Sequence, residues 1–203
     1  MSVVVFGAAG TGGQRIVAEA VSRGLAVVPV VRDTTRHPQV AGLATVQGDA
    51  TDPASVTALL AGAGAAVIAV GESWTDAART VVTAAAGRVY VLHMGGGATL
   101  TLPDGTAFVD LPSFPAEYLV PARGQAEALA WYRAEAGDDW TYLSPPPVDF
   151  APGDRTGAYR TGDDQPVTDG DGNARISYED YAVAVIDEIT DRKHAGRRFT
   201  VGY

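Results

Sequence analysis

The feature that most constrains this chain is a run of glycines between a short apolar segment and an amphipathic one. Residues 3–6 are apolar and mostly β-branched, which is typical of a strand buried on both faces of a parallel sheet. Gly7, Gly10 and Gly13 follow directly, and a helical pattern of apolar residues then runs over 14–23 and ends at Gly24. This order of strand, glycine turn and helix predicts the first βαβ unit of a parallel sheet.

The alternation of strand and helix continues along the chain. Asp52 precedes Pro53, a pair typical of a helix cap and first helical position. Further strands are predicted over 25–31, 44–47, 65–70, 89–93 and 140–143, and further helices over 53–60, 75–86 and 115–136, the last bent at Pro121. The pattern predicts an α/β fold in which a doubly wound parallel sheet lies between two layers of helices.

The last part of the chain, residues 145–203, has a different pattern. It opens with three prolines and contains short extended segments over 156–161 and 165–168, a helix that begins at Ser177, and a final strand over 198–203. No linker or repeat separates it from the rest. We therefore expect one domain, 1–203, in which 145–203 forms a small cap on the substrate side.

Composition excludes several classes of partner. A net charge of -9 repels phosphate backbones, and no apolar run approaches the ~18 residues of a membrane span. The chain has no cysteine for a disulfide, a thiolate metal site or a nucleophile. We expect a cytoplasmic protein with a small-molecule substrate, no nucleic-acid or membrane partner and no metal; a homodimer is compatible with the sequence.

The glycine loop has the properties of a phosphate-binding turn. It lets the backbone approach a diphosphate, and the helix that follows offers free N–H groups and a positive dipole end. Gln14 and Arg15 stand where a nucleotide-hydrolysing P-loop requires lysine and a hydroxyl residue. The predicted ligand is a dinucleotide, and its predicted contacts in the loop are Gly7, Ala9, Gly10, Thr11, Gly12 and Gly13.

The residues after the second strand bear on which dinucleotide binds. Asp33 has the spacing of an acid that accepts from the ribose hydroxyls of NAD, whereas Arg32 and Arg36 form a pair suited to the 2′-phosphate of NADP. We expect NADP, with NAD as the alternative. Further predicted contacts follow the third and fourth strands: Asp49, Ala50, Val70 and Gly71.

These residues and several later blocks resemble the atypical short-chain dehydrogenase/reductase group, which includes NmrA-like proteins, biliverdin reductase B-like enzymes and bacterial NADH-flavin reductases. The similarity covers nearly the whole chain, including residues 114–118, 125–129, 140–145, 152–160 and 175–182. The resemblance implies a Rossmann-like fold that holds a nicotinamide dinucleotide. It also implies that Met94, Gly95 and Pro145 flank the nicotinamide.

The chain departs from the reaction chemistry of most of that group. Most short-chain dehydrogenases use Tyr-x-x-x-Lys, but Tyr118 is followed by Ala122 and Tyr132 by Ala136. A ketone needs a positioned proton donor for its developing alkoxide, whereas a flat conjugated acceptor spreads the incoming charge. We therefore expect an NAD(P)H-dependent reductase of a flavin, quinone or similar molecule. The alternatives are an NmrA-like redox sensor without turnover and a sugar-nucleotide epimerase or dehydratase.

Three residues are candidate proton donors. His93, at the end of the fifth strand, could titrate near neutral pH or could be a packed strand-end histidine. Thr99 resembles a serine position in the group's loop, but could equally serve an ordinary turn. Tyr118 could border the substrate pocket or belong to the core.

Overall fold

A computed structural model describes all residues, 1–203, and centres on a sheet of eight strands. The strands along the chain are β1 (Ser2–Phe6), β2 (Ala26–Val31), β3 (Gln39–Val40), β4 (Leu43–Ala44), β5 (Val46–Gln47), β6 (Ala65–Ile68), β7 (Tyr90–Met94), β8 (Trp140–Ser144), β9 (Asp149–Ala151), β10 (Arg160–Gly162), β11 (Arg175–Ser177) and β12 (Arg197–Gly202). The α-helices are α1 (Thr11–Ser22), α2 (Pro53–Leu59), α3 (Trp74–Ala85), α4 (Leu119–Glu135) and α5 (Tyr178–Asp191).

The main sheet has the order β10-β12-β8-β7-β6-β1-β2-β5. Every neighbouring pair is parallel except β10 and β12. The chain extends the sheet from β1 to one side through β2 and β5, then to the other side from β6. The order therefore reverses between β1 and β6, and in an open parallel sheet this is where a crevice forms at the carboxyl ends of the strands. The predicted doubly wound Rossmann-like fold is confirmed.

Helices cover both faces of this sheet. Apolar side chains of α1 and α5 pack on one face, where Val3, Val5 and Leu92 are fully buried. Those of α2 and α3 pack on the other face, and α4 continues that layer over β7 and β8. Successive residues of β1 point to opposite faces, so Val4 and Phe6 belong to the second core. Two cores on one continuous apolar strand explain the unbroken run of residues 3–6.

The C-terminal region differs from the expectation. Its helix α5 packs against α1, and β12 pairs with β8, so residues 178–202 belong to the central layers. Of the part before α5, β10 pairs with β12 at the edge of the main sheet, whereas β9 and β11 pair in parallel as a small separate sheet. The expected extended segments were partly wrong: β10 covers 160–162, and 165–168 is not a strand. The expected third strand is also shorter, because only β5 joins the main sheet.

A segment that we call the strap, residues 153–159, crosses α1 and α5 and is fixed by carboxylates of those helices. Arg155 donates two hydrogen bonds to the buried Glu19 of α1, at 2.7 and 2.8 Å. Asp180 of α5 accepts from Thr156 Oγ1 at 2.5 Å and from Gly157 N–H at 2.7 Å. The strap therefore ties the segment after β9 to the helix that begins at the glycine loop.

The starts of α2 and α4 contain two residues for which the sequence made predictions. Asp52 caps α2 by accepting from the Ala54 N–H at 3.0 Å, as predicted. Pro121 lies in the first turn of α4, where a backbone N–H has no helical partner, so it does not interrupt that helix. No helix is both long and apolar enough to span a bilayer.

Candidate functional site

A crevice of about 440 Å³ opens at the carboxyl edge of the sheet, around the ends of β1, β2, β5 and β6. This is the reversal point of the strand order, where α/β proteins place their ligands. The crevice brings together most of the predicted contacts: Gly7, Ala9, Gly10, Arg32, Arg36, Asp49, Ala50, Val70 and Gly71.

The glycine loop forms one wall of the crevice, and its geometry requires glycine. Gly7 has φ +77, and a Cβ there would lie 2.3 Å from the Ala69 carbonyl oxygen. A Cβ on Gly13 would lie 2.2 Å from the Gly7 carbonyl oxygen. These contacts bring the start of α1 close against the ends of β1 and β6.

The N-terminus of α1 beside the glycine loop has no side-chain cap. Gly10 is the residue before the helix, and no side chain caps the N–H groups that follow it. The loop itself is fixed by backbone bonds, from Gly10 N–H to the Gly7 carbonyl at 3.0 Å and from Ala8 N–H to the Val30 carbonyl at 3.1 Å. Free N–H groups at a helix N-terminus favour phosphate.

The end of β2 supplies the charges of the crevice. Arg32 forms an exposed ion pair with Glu72. Asp33 Oδ1 accepts from the Thr35 hydroxyl at 2.6 Å and from the Thr35 N–H at 2.9 Å, and these bonds lower the pKa of Asp33. Asp33 therefore shapes its own turn, and Arg36, which follows it, also lines the crevice.

Asp49 and Gly71 lie on opposite sides of the crevice, because β5 neighbours β2 whereas β6 lies across β1. Asp49 Oδ1 accepts from the backbone N–H and the hydroxyl of Thr51, both at 2.8 Å, and these bonds lower its pKa. Gly71 has no atom within 4 Å of the position that a Cβ would take. The backbone after β6 can therefore approach a ligand closely.

The other predicted contacts do not line this crevice; they are Thr11, Gly12, Gly13, Met94, Gly95 and Pro145. Packing explains three of them. Gly13 closes the loop as described. A Cβ on Gly12 would lie 2.5 Å from Met94 Cε, so the Met94 side chain covers the start of α1. A Cβ on Gly95 would lie 2.0 Å from the Tyr142 ring.

His93 lies in the protein interior and is not a proton donor near neutral pH. It is 0% exposed, and burial lowers its pKa to about 3. Its ring stacks on Tyr142, with centroids 5.1 Å apart, and its Nδ1 lies 3.2 Å from the Tyr132 hydroxyl. The expectation of a titrating histidine is therefore wrong at this position, and the packed alternative is the one observed.

Thr99 and Tyr118 have contrasting surroundings. The Thr99 hydroxyl donates to the Gly96 carbonyl at 2.6 Å and lies 3.1 Å from Ser144 Oγ, so it belongs to the loop that follows β7. Tyr118 is 59% exposed at the start of α4 and is not a core residue.

Comparison with known proteins places this site in a family. The family model described as NAD(P)H-binding matches residues 7–192. The chain belongs to the NAD(P)H-binding family. It is 33% identical to the uncharacterized protein YwnB of Bacillus subtilis, over 99% of this chain and 98% of that protein.

Two solved structures of similar proteins cover the whole of this NAD(P)H-binding chain. One is described as a putative NADH-flavin reductase from Streptococcus pneumoniae, with 28% identity, 99% of that chain covered and a TM-score of 0.89. The other is described as a putative epimerase from Bacteroides thetaiotaomicron, with 32% identity, 96% of that chain covered and a TM-score of 0.88.

The residues present fit the cofactor of an NAD(P)H-binding protein. The loop that Gly7 and Gly13 allow is too tight for side chains, and the helix start beside it has no side-chain cap. Sequence reasoning missed several residues of the crevice, among them His37, Thr51, Ser73 and Ala77. All four residues lie in, or just after, the connections that leave the carboxyl ends of β2, β5 and β6. Ligands of parallel sheets bind at those ends, so these connections could have been searched for further contacts.

Proposed function

We propose that this protein binds NADP(H) in the crevice and catalyses hydride transfer to a flavin, quinone or similar conjugated small molecule. The observation that carries the proposal is the combination, in one crevice, of the glycine loop with the guanidiniums of Arg32 and Arg36. The loop suits a diphosphate, and two guanidiniums suit a ribose 2′-phosphate. NADH, which lacks that phosphate, is the alternative cofactor.

The protein's part in this reaction is to bind and orient. When bound, the nicotinamide cofactor supplies the hydride. We infer that the N–H groups at the start of α1 hold the diphosphate, and that Met94, Gly95 and Pro145 form the floor beside the nicotinamide. Met94 already contacts Gly12 of α1, so the predicted floor is continuous with the phosphate loop.

The surroundings of this floor favour an acceptor that needs no acid catalyst. Lys193 is the only lysine of the chain, and it pairs with Asp191 at the end of α5. Tyrosines at the carboxyl edge of the sheet therefore have no lysine partner. His93 is buried and neutral, and the Thr99 hydroxyl is engaged with Gly96. A conjugated acceptor delocalises the transferred charge and can take its proton from water.

The direct test is anaerobic oxidation of NADPH by the purified protein with FMN, then with menadione. We expect steady loss of absorbance at 340 nm that requires both protein and acceptor. Tight NADPH binding with no oxidation by either acceptor would contradict the reaction and favour a redox-sensing protein. Absence of binding would contradict the site itself.

A further inference from the structure

The mouth of the crevice is bridged by an ion pair. Arg32 follows β2 and Glu72 follows β6, and these two strands lie on either side of β1. A hydrogen bond joins Arg32 Nη1 to Glu72 Oε1, while the two side chains remain 70% and 63% exposed. Both residues line the crevice, so the pair spans the place where the adenosine end of a dinucleotide would enter.

Glu72 is held in this position by the turn around it. The Trp74 indole N–H donates to the Val70 carbonyl at 3.1 Å, which closes the turn over Glu72. The Trp74 ring packs on α4, where a Cβ on Gly124 would lie 2.5 Å from it. Ser73 takes a left-handed conformation, with φ 53. These contacts fix the backbone of the turn that carries Glu72.

The two guanidiniums of the crevice have different partners. Arg32 is bonded to Glu72, and its charge also contributes, after the bonds from Thr51, to the lowered pKa of Asp49. Arg36 lines the same crevice, and its backbone N–H rather than its guanidinium is the group bonded to Asp33. Of the two, only the Arg32 guanidinium must break an ion pair with a carboxylate before it can bind an anion.

We propose that Glu72 is a specificity-determining residue that competes with a ribose 2′-phosphate for Arg32 and so limits the preference for NADP(H) over NAD(H). The proposal rests on the proposed function, because it requires the adenosine ribose in this crevice. A dinucleotide without the phosphate leaves the pair intact. A 2′-phosphate takes the donors of Arg32 and meets the negative charge of Glu72.

The test measures dissociation constants by calorimetry for NADPH and NADH with the wild type and Glu72→Gln. We expect Glu72→Gln to bind NADPH about 5- to 10-fold more tightly, because an attractive competitor and a repulsive charge are both removed. Its affinity for NADH should stay within about twofold of the wild type. The matched control is Asp191→Asn, which removes one charge from another exposed pair, that with Lys193.

A second variant tests whether the gain passes through Arg32. Adding Arg32→Ala to Glu72→Gln should abolish most of the gain for NADPH, because the residue released by the first change is then missing. Adenosine 2′,5′-bisphosphate, used as a fragment, should show the same order of affinities as NADPH. This fragment reports the ribose phosphate site without the nicotinamide.

Three outcomes would overturn the proposal while leaving the cofactor site in place. They are an unchanged NADPH affinity in Glu72→Gln, a weaker one, and an equal gain for NADPH and NADH. A wild type that binds neither dinucleotide would instead remove the proposed function together with this inference. Binding without hydride transfer would contradict the reaction and leave the role of Glu72 standing.

Discussion

Gly13 and Gly71 have separable roles. Gly13 is required by packing, since a Cβ would meet the Gly7 carbonyl at 2.2 Å, whereas the Cβ position of Gly71 is open to at least 4 Å. Gly13 lies in the first turn of α1, and Gly71 follows β6 and lines the crevice. One glycine therefore serves the fold, and the other leaves room for a ligand.

We expect Gly13→Ala to affect mainly stability and Gly71→Ala to affect mainly NADPH binding. Gly13→Ala should lower the free energy of unfolding by about 2 kcal/mol or more, because backbone atoms must move apart. Gly71→Ala should change it by less than about 0.5 kcal/mol while weakening NADPH binding. Urea unfolding and calorimetry measure the two quantities. Equal stability losses in the two variants would contradict this assignment.

Where the signal was local, the residues predicted from the sequence line the crevice. Arg32, Arg36 and Asp49 were predicted because each follows a strand whose end could be read from apolar runs. The pairing of Arg32 with Glu72 could not be predicted, because the residues are 40 positions apart and meet only through the strand order. His93 failed for a related reason: its neighbours Tyr132 and Tyr142 come from other elements.

At the scale of elements, the strap connects three parts of the chain through buried or half-buried carboxylates. Asp180 is 0% exposed and accepts from Thr156, Gly157 and Tyr203. Burial opposes its ionisation, yet these hydrogen bonds together lower the pKa of Asp180. The strap is thus held by a charged group that has little access to water.

Replacing Asp180 tests whether the strap depends on this carboxylate. We expect Asp180→Asn to cost about 2 kcal/mol of stability, because an amide cannot accept all three bonds. Hydrogen exchange should show lost protection at the Gly157 N–H, which donates to Asp180 in the wild type. Asp191→Asn is the control, and unaltered exchange at Gly157 in Asp180→Asn would count against the role of Asp180.

The elements also show where periodicity stops being informative. The strands β1, β2 and β7 were predicted because each is a continuous apolar run of the length and composition typical of a buried strand. The strand predicted over 44–47 is only the two-residue β5, and the hairpin of β3 and β4 and the parallel pair β9 and β11 were missed. Strands so short carry no period, and β9 and β11 pair across more than twenty residues of intervening chain.

For the whole molecule, one buried group links stability to pH. Burial lowers the pKa of His93 to about 3, below its ordinary 6.5, so the unfolded chain binds a proton that the folded chain does not between these values. The free energy of unfolding therefore falls as the pH falls through this range. The contribution of His93 is complete above about pH 6.5 and lost progressively below it.

We expect this contribution to be about 1 kcal/mol for each pH unit below 6. His93→Gln, which cannot titrate, should show a shallower fall of unfolding free energy between pH 6 and pH 4 than the wild type. Chemical denaturation at each pH measures the slope, with His37→Gln as an exposed histidine for comparison. Identical slopes in the wild type and His93→Gln would show that His93 is protonated in the folded chain.

The overall architecture was the most predictable level, because strand and helix alternate with little ambiguity up to residue 144. The extent of the cap was not predictable. Membership of α5 and β12 in the central layers depends on their packing against α1 and β8, which are more than fifty residues away in the chain. Only tertiary contacts decide whether such segments lie over a core or within it.

The loop after β7 and the glycine loop lie under different helices and are stabilised by different interactions. Beneath α4, the Tyr142 hydroxyl accepts from the Gly96 N–H at 3.1 Å and lies 2.6 Å from Gln125 Oε1, which fixes the loop after β7 by directional bonds. Beneath α1, close aliphatic packing fixes the glycine loop. Selection on side-chain volume should therefore act mainly at the glycine loop, and selection on hydrogen-bonding groups at the loop after β7. If the proposed reaction holds, a lineage could change its acceptor by altering polar side chains under α4 without altering dinucleotide binding.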